Sequence, residues 1–164
     1  SAVTKCVLIC CAAMLPAMYC RKMENVLNFK GDESTKGVFT MSIRAEKAVE
    51  YKKSYNCAQA VLLSFKKELN KSEDELLALG SGFGAGMGSM EATCGALCDA
   101  AIAAGLLNQS NTPTKMMTTE MLMEFKAKAG ATICGDITGI KTKKVLCSCE
   151  NCVRIATMAL ESKL

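Results

Sequence analysis

The sequence predicts an all-α fold, a single compact multi-helix bundle interrupted by a Gly-rich loop. Three observations lead there. Apolar side chains recur at the 3.6-residue spacing of amphipathic helices, with capping residues ahead of the runs. Aromatics make up 5% of a chain that is 50% apolar, and Trp is absent, so the residues that strands prefer are scarce. Only Pro16 and Pro113 break the pattern. At 164 residues the chain has the size of one ordinary domain, with apolar residues enough for a core.

Taken in order, residues 1–40 read as an N-terminal extension and 41–164 as a helical, cysteine-containing domain. The apolar stretch 6–20 is shorter than the roughly 20 residues that cross a bilayer, and it contains Pro16, so no membrane span is expected. Its charged flank and small residues faintly resemble a secretory signal, but no small-x-small site closes it. Residues 28–40 are polar and linker-like. The first helix of the domain, 42–53, is capped by Ser42 and turns Ala45, Ala48 and Val49 to one side. The next, 57–69, follows an Asn56 cap and aligns Ala58, Val61, Leu62, Phe65 and Leu69 in one stripe. Ser72 and Glu75 form a capping box ahead of a short helix that ends at Leu79.

Residues 80–88 have Gly at every second position, which no stable helix tolerates. The run matches neither phosphate-binding Gly motif, and no strand precedes it. It is expected to let backbone pass close to a neighbouring helix or a thiol site. A helix over 91–107 places Cys94, Cys98, Ala101 and Gly105 on one face of small side chains. Pro113 opens a helix over 114–129, with Met117, Met121, Leu122, Phe125 and Ala129 inward, Glu124 and Lys128 paired outward, and Gly130 at its end. Cys134, Gly135 and Gly139 fall in a loop. The last helix, 149–163, has the buried stripe Cys149, Cys152, Val153, Ala156 and Leu160. The small-residue faces and the apolar N-terminal stretch exceed what a minimal core needs, which suggests a homodimer.

Two counts narrow the chemistry: eleven Cys and no His. Without His there is no Ser–His–Asp triad, no Cys–His nucleophile pair and no His-held zinc or haem. An odd number of cysteines in a chain this long fits reduced or reversibly oxidised thiols better than a structural disulfide framework, and so a reducing compartment, the cytoplasm. The net charge of +4 is spread: residues 1–40 hold five basic and three acidic residues, and 41–164 hold fifteen and thirteen. No basic stripe with interleaved aromatics appears, so a nucleic-acid partner is not expected. Lys141, Lys143 and Lys144 read as a solvated loop. Met116, Met117, Met121 and Met123 are explained by core packing better than by soft-metal binding.

Cys57, Cys94 and Cys149 each fall at or near the start of an expected helix, where free N–H groups and the helix dipole favour a thiolate. The stretches Tyr55-Asn56-Cys57-Ala58-Gln59-Ala60-Val61 and Thr93-Cys94-Gly95-Ala96, then Cys134, then Cys149 followed by Val153 and Ala156, resemble a bacterial and archaeal family described as redox-active and labelled C-GCAxxG-C-C. The resemblance covers about residues 41–164. It implies Cys57, Cys94, Cys134 and Cys149 as the working cysteines, with Cys98, Cys147 and Cys152 as alternates. Gly84, Gly86 and Gly95 are read as cofactor-binding positions beside them. The closing Gly of the motif is Asp99 here, which adds bulk and charge. Met41 matches the usual start of such a protein, which marks 1–40 as an addition.

Several chemistries suit this set. Four thiolates are the usual complement of an iron–sulfur cluster, and a thiolate-only zinc site at Cys134 with Cys147, Cys149 and Cys152 is a variant. Metal-free exchange is the second reading, because Cys149 and Cys152 form a C-x-x-C at a helix start, and Cys94 and Cys98 stand one turn apart. The partner is then a redox protein or a small thiol. The third reading is a structural or partner-binding bundle with inert buried cysteines.

Overall fold

The computed structural model describes residues 42–164; the apolar stretch 6–20 with its four cysteines lies outside them. Eight α-helices are formed: α1 (Ile43–Lys52), α2 (Cys57–Ser64), α3 (Lys66–Leu69), α4 (Glu73–Gly80), α5 (Gly95–Leu107), α6 (Thr114–Ala129), α7 (Cys134–Thr138) and α8 (Cys149–Glu161). No strand occurs among the described residues, and the nearest thing to one is an isolated antiparallel bridge between Thr93 and Ile133. The all-α expectation is met.

The helix starts follow the local signals. Ser42 accepts a hydrogen bond from the Ala45 N–H at 3.3 Å, and Ser72 and Glu75 close a reciprocal capping box. Pro113 caps α6, and Gly130 ends it in a left-handed conformation at φ 86°.

Helix α2 is the centre of the bundle. Every residue from Cys57 to Ser64 except Gln59 is buried, because α1, α4, α5 and α8 all pack on it. The single stripe expected for it is therefore too narrow: a helix wrapped by four others is apolar nearly all round. The expected helix 57–69 also breaks at Phe65, and the chain resumes as the one-turn α3 before Asn70 reverses it at φ 50°. Phe65 itself is fully buried, with the Arg44 guanidinium 4.4 Å from its ring centre.

Helix α5 starts at Gly95, four residues later than the periodicity suggests, because Ala92–Cys94 are used in the bridge to α7. Its buried face is Ala96, Leu97, Asp99, Ala100, Ala103 and Ala104. Of the face expected to pack, Cys94 is buried, but Cys98, Ala101 and Gly105 are half-buried to exposed. In a run composed almost wholly of small apolar residues, periodicity does not single out a side. Leu122, expected inward on α6, is exposed, whereas Met117, Met121, Phe125 and Ala129 are buried as anticipated. Cys134, expected in a loop, opens the short α7.

Ion pairs fasten the outside. Arg44 binds Glu68 at 2.6 Å and Glu161 at 3.2 Å, Ser42 adds a hydrogen bond to Glu161, and Arg154 binds Glu46 at 2.6 Å. Together they clamp α1 to α3 and to the middle and the C-terminal end of α8. Exposed pairs of this kind each contribute about 0–1 kcal/mol, so the buried core carries most of the stability.

Candidate functional site

Four cysteines stand at four helix starts. Cys57, Cys134 and Cys149 are the first residues of α2, α7 and α8, and Cys94 is the N-cap of α5. Asn56 sets the position of Cys57. Its Oδ1 accepts from the N–H groups of Ala58 and Gln59, both at 2.9 Å, and its Nδ2 donates to the Gly80 carbonyl at 3.1 Å. Gln59 answers by accepting from the Asn56 N–H at 3.1 Å and donating to the Leu77 carbonyl at 2.8 Å. The start of α2 is thus tied to the end of α4 and to the Gly-rich loop behind it.

That loop turns left-handed. Ala85, Gly86, Met87 and Gly88 have φ of 51°, 56°, 59° and 77° in succession, and Met90 follows at 62°. Non-Gly residues hold such angles at a cost, and they persist where surrounding contacts determine them. The turn aims the Ala85 N–H at the Cys57 sulfur, while the Ala96 N–H reaches it from the first turn of α5. Close approach also explains two glycines. A Cβ on Gly95 would run into the Phe83 carbonyl oxygen and stand 3.2 Å from Cys57 Sγ. A Cβ on Gly86 would lie 2.7 Å from Cys134 Cβ. Gly84 packs against the Asn56 side chain. Gly95 thus lies against Cys57 and Gly86 against Cys134, whereas Gly84 lies against the cap of α2.

Cys94 and Cys134 are brought side by side by paired backbone bonds, Cys94 N–H to Thr132 O at 2.8 Å and Cys134 N–H to Ala92 O at 2.9 Å. From the other side α8 delivers two more thiols, one turn apart on its first face. Cys149, expected in the buried stripe of the last helix, is exposed, and its thiol acts on the titration of Cys57; the buried Cys152 acts on that of Cys94. The C-x-x-C cysteines of α8 thus each meet a partner across the helix interface. Cys98, half-buried, points its thiol toward the Thr93 carbonyl at 3.9 Å.

The electrostatics divide these thiols into two kinds. Cys57 is pulled down to about 6 by the Cys149 hydrogen bond, against the cost of burial, with help from the Ala85 and Ala96 N–H groups and from Lys52. Cys94 is also lowered, by Cys152 first and then by the N–H groups of Ala96 and Leu97, although burial and the Cys57 charge oppose it. Their partners move the opposite way. The hydrogen bond to Cys57, then burial, holds Cys149 as a thiol, and the hydrogen bond to Cys94, then burial, does the same for Cys152. Each pair therefore shares a proton between a thiolate at a helix start and a thiol on α8. Cys98 is pushed up to about 11, and Cys134 is raised, in both cases chiefly by burial.

Among the described residues no three Cys, Asp or Glu side chains are grouped to hold one metal ion.

Asp99 lies beneath this cluster. It is fully buried, neither carboxyl oxygen has a hydrogen-bond partner in the protein, and a Cβ on Gly80 would collide with its Oδ2. Burial first, and the Cys57 charge second, push it up to about 7. The sequence marks Asp99 as a departure from the motif; its complete burial, one turn along α5 from Gly95, is a tertiary fact. The pairing of Cys152 with Cys94 is likewise invisible in sequence spacing.

Residues 55–162 match the family model described as "Putative redox-active protein (C_GCAxxG_C_C)". The chain belongs to this family. The C_GCAxxG_C_C match takes in every cysteine of the described domain, Cys57 through Cys152. No curated protein and no solved structure matches the chain.

Proposed function

We propose that this C_GCAxxG_C_C chain exchanges electrons by dithiol–disulfide chemistry, with Cys149 and Cys57 as the working pair and a small disulfide or a disulfide-bearing protein as the partner. What supports the reading is the buried Cys57 at the start of α2, its titration lowered first by the exposed Cys149 and then by two backbone N–H groups. Cys57 is 5% exposed and out of reach of a bulky disulfide; Cys149 is exposed.

The proton of Cys149 shifts along the hydrogen bond to Cys57 and leaves an exposed thiolate. That thiolate attacks one sulfur of R–S–S–R, forms a Cys149–S–S–R bond and expels R–S⁻, which takes the proton from Cys57. Cys57, again a thiolate, attacks the Cys149 sulfur, forms the Cys57–Cys149 disulfide and releases the second R–S⁻. The substrate disulfide gains two electrons and the protein pair loses them. The odd, high cysteine number suits a reducing compartment, and we read the cytoplasm as its setting. Among the described residues no helix is long and apolar enough to cross a membrane.

Anaerobically purified, reduced chain treated with oxidised glutathione tests this. Peptide mapping after alkylation is expected to find a Cys57–Cys149 bond, and Cys149→Ser is expected to abolish consumption of the disulfide. Absence of that bond in the wild type overturns the reading. So does a brown protein absorbing near ~400 nm with stoichiometric iron and sulfide, which selects a cluster.

A further inference from the structure

We propose that the loop from Ile140 to Leu146 is the docking face for the disulfide-bearing partner, and that it recognises a protein whose disulfide is flanked by acidic and apolar side chains. The inference rests on the thiol-exchange reading above and names the partner class of that same site.

The loop lies between α7 and the cap of α8, and it ends three residues before the exposed Cys149. Each of its residues is exposed, yet its backbone is fixed. The Ile140 N–H donates to the Gly135 carbonyl at 3.1 Å, the Lys143 N–H to the Gly139 carbonyl at 2.6 Å, and the Leu146 N–H to the Ile137 carbonyl at 2.8 Å. Thr142 Oγ1 accepts from the Lys144 N–H at 3.3 Å. The chain folds back over the buried Gly139, which has φ 68°; a Cβ there would run into the Lys144 carbonyl. The surface is therefore formed before a partner arrives, which lowers the ordering cost of binding.

What the loop presents is apolar and cationic. Ile140, Val145 and Leu146 are 49%, 63% and 48% exposed. A single exposed apolar side chain is ordinary, but a group of them on one segment held by its own hydrogen bonds marks a contact surface. Lys141, Lys143 and Lys144 stand among them, and the chain carries no acidic residue between Asp136 and Glu150. Among the described residues none of these three ammonium groups is in an ion pair, whereas Lys66, Lys71 and Lys128 each hold a glutamate.

Charge selects the occupant. Unpaired cations beside apolar side chains complement a surface that is acidic and apolar. A second copy of this chain, brought loop to loop, sets like charges against each other and is repelled. A lipid surface offers negative charge but no disulfide, and it leaves the neighbourhood of Cys149 without a use. A protein disulfide seated on the loop is held close to Cys149, which raises the local concentration of the sulfur to be attacked. The bonds are those of the exchange given above: Cys149 forms a mixed disulfide with the partner, and the partner's other sulfur leaves as a thiolate.

The test uses the reduced full-length chain and two synthetic peptide disulfides, each a dimer of a short peptide with a central Cys flanked by Leu. One has Asp at its ends and the other Lys. Hydroxyethyl disulfide, small and uncharged, is the reference, and each peptide rate is divided by the reference rate of the same variant. At low ionic strength the wild type is expected to consume the acidic peptide disulfide about tenfold or more faster than the basic one, and about 0.5 M salt to bring the two rates together. The triple variant Lys141→Glu, Lys143→Glu, Lys144→Glu is expected to reverse the preference. Val145→Ser with Leu146→Ser is expected to slow both peptides relative to the reference. Equal peptide rates in the wild type, or a preference that the triple variant leaves unchanged, overturn this proposal alone when hydroxyethyl disulfide still yields the Cys57–Cys149 bond. Binding of the wild type to phosphatidylserine vesicles, lost in the triple variant and without any peptide preference, assigns the loop to lipid and overturns it as well. A wild type that leaves hydroxyethyl disulfide unreacted overturns the exchange reading, and this inference with it.

Discussion

A carboxyl group sealed away from water and hydrogen-bond partners resists ionisation, and Asp99 is such a group. In the folded chain it keeps its proton up to about pH 7, whereas in the unfolded chain it ionises near 4. Folding therefore takes up a proton between those values. This contribution to stability is full below pH 4, falls as the pH rises to 7, and is level beyond. Asp99→Asn is expected to remove that slope and raise stability at pH 8 by on the order of 2–3 kcal/mol, read from urea midpoints at pH 5 and pH 8. An unchanged difference between the two pH values would show that the carboxyl is solvated. Cys57 shifts the other way, so the Cys57/Cys149 pair gives up its first proton near 6. The ultraviolet thiolate absorbance of the reduced chain is expected to rise first with a midpoint near pH 6, well below the ~8.5 of a free thiol. A midpoint at the ordinary value would contradict the shared proton.

Between residue and fold stands the helix start, and there a few backbone groups fix a thiol's chemistry. The Asn56 box is the clearest case, because it closes the first turn of α2 and ties that turn to Gly80. Asn56→Ala is expected to cost about 1–2 kcal/mol, read as a lower thermal midpoint, and to raise the thiolate-absorbance midpoint as the Cys57 amide cradle loosens. Gly95→Ala forces a Cβ against the Phe83 carbonyl and is expected to cost ~2–3 kcal/mol with the same rise in midpoint. A variant that lowers stability while leaving the midpoint untouched would separate capping from thiolate stabilisation. These starts are legible in sequence where polar caps announce them, as at Ser42, Asn56 and Ser72. They are hidden where the cap is a Cys, as at Cys94, or an Ile, as at Ile133 before α7. The break at Phe65 is hidden too, since the apolar run passes through it unchanged.

Across the molecule, α8 is the element on which the candidate chemistry turns, because its first two turns reach both α2 and α5. Oxidation of the Cys57/Cys149 pair would close a loop of roughly 90 residues, which constrains the unfolded chain by on the order of 4 kcal/mol. The oxidised chain is therefore expected to unfold at a higher urea concentration than the reduced one, with Cys149→Ser showing a smaller difference. Equal midpoints for the two redox forms would mean that the bond strains the native bundle as much as it restrains the unfolded one.

Residue types, their spacing and their caps were enough to determine an all-helical chain, its main helices, the rank of cysteine above every other reactive group, and the family motif. Those properties are local: a helix period, a capping oxygen or a missing imidazole is complete within a few residues. Only the tertiary structure decided that Cys149 stands near Cys57 while Cys152 stands near Cys94, that α2 is enclosed by four helices, and that Asp99 is buried. Pairing across 58 or 92 positions, as the residue numbers give it, depends on how α8 docks against α2 and α5. That docking is set by the summed burial of many apolar side chains, a quantity that belongs to no single stretch of the chain.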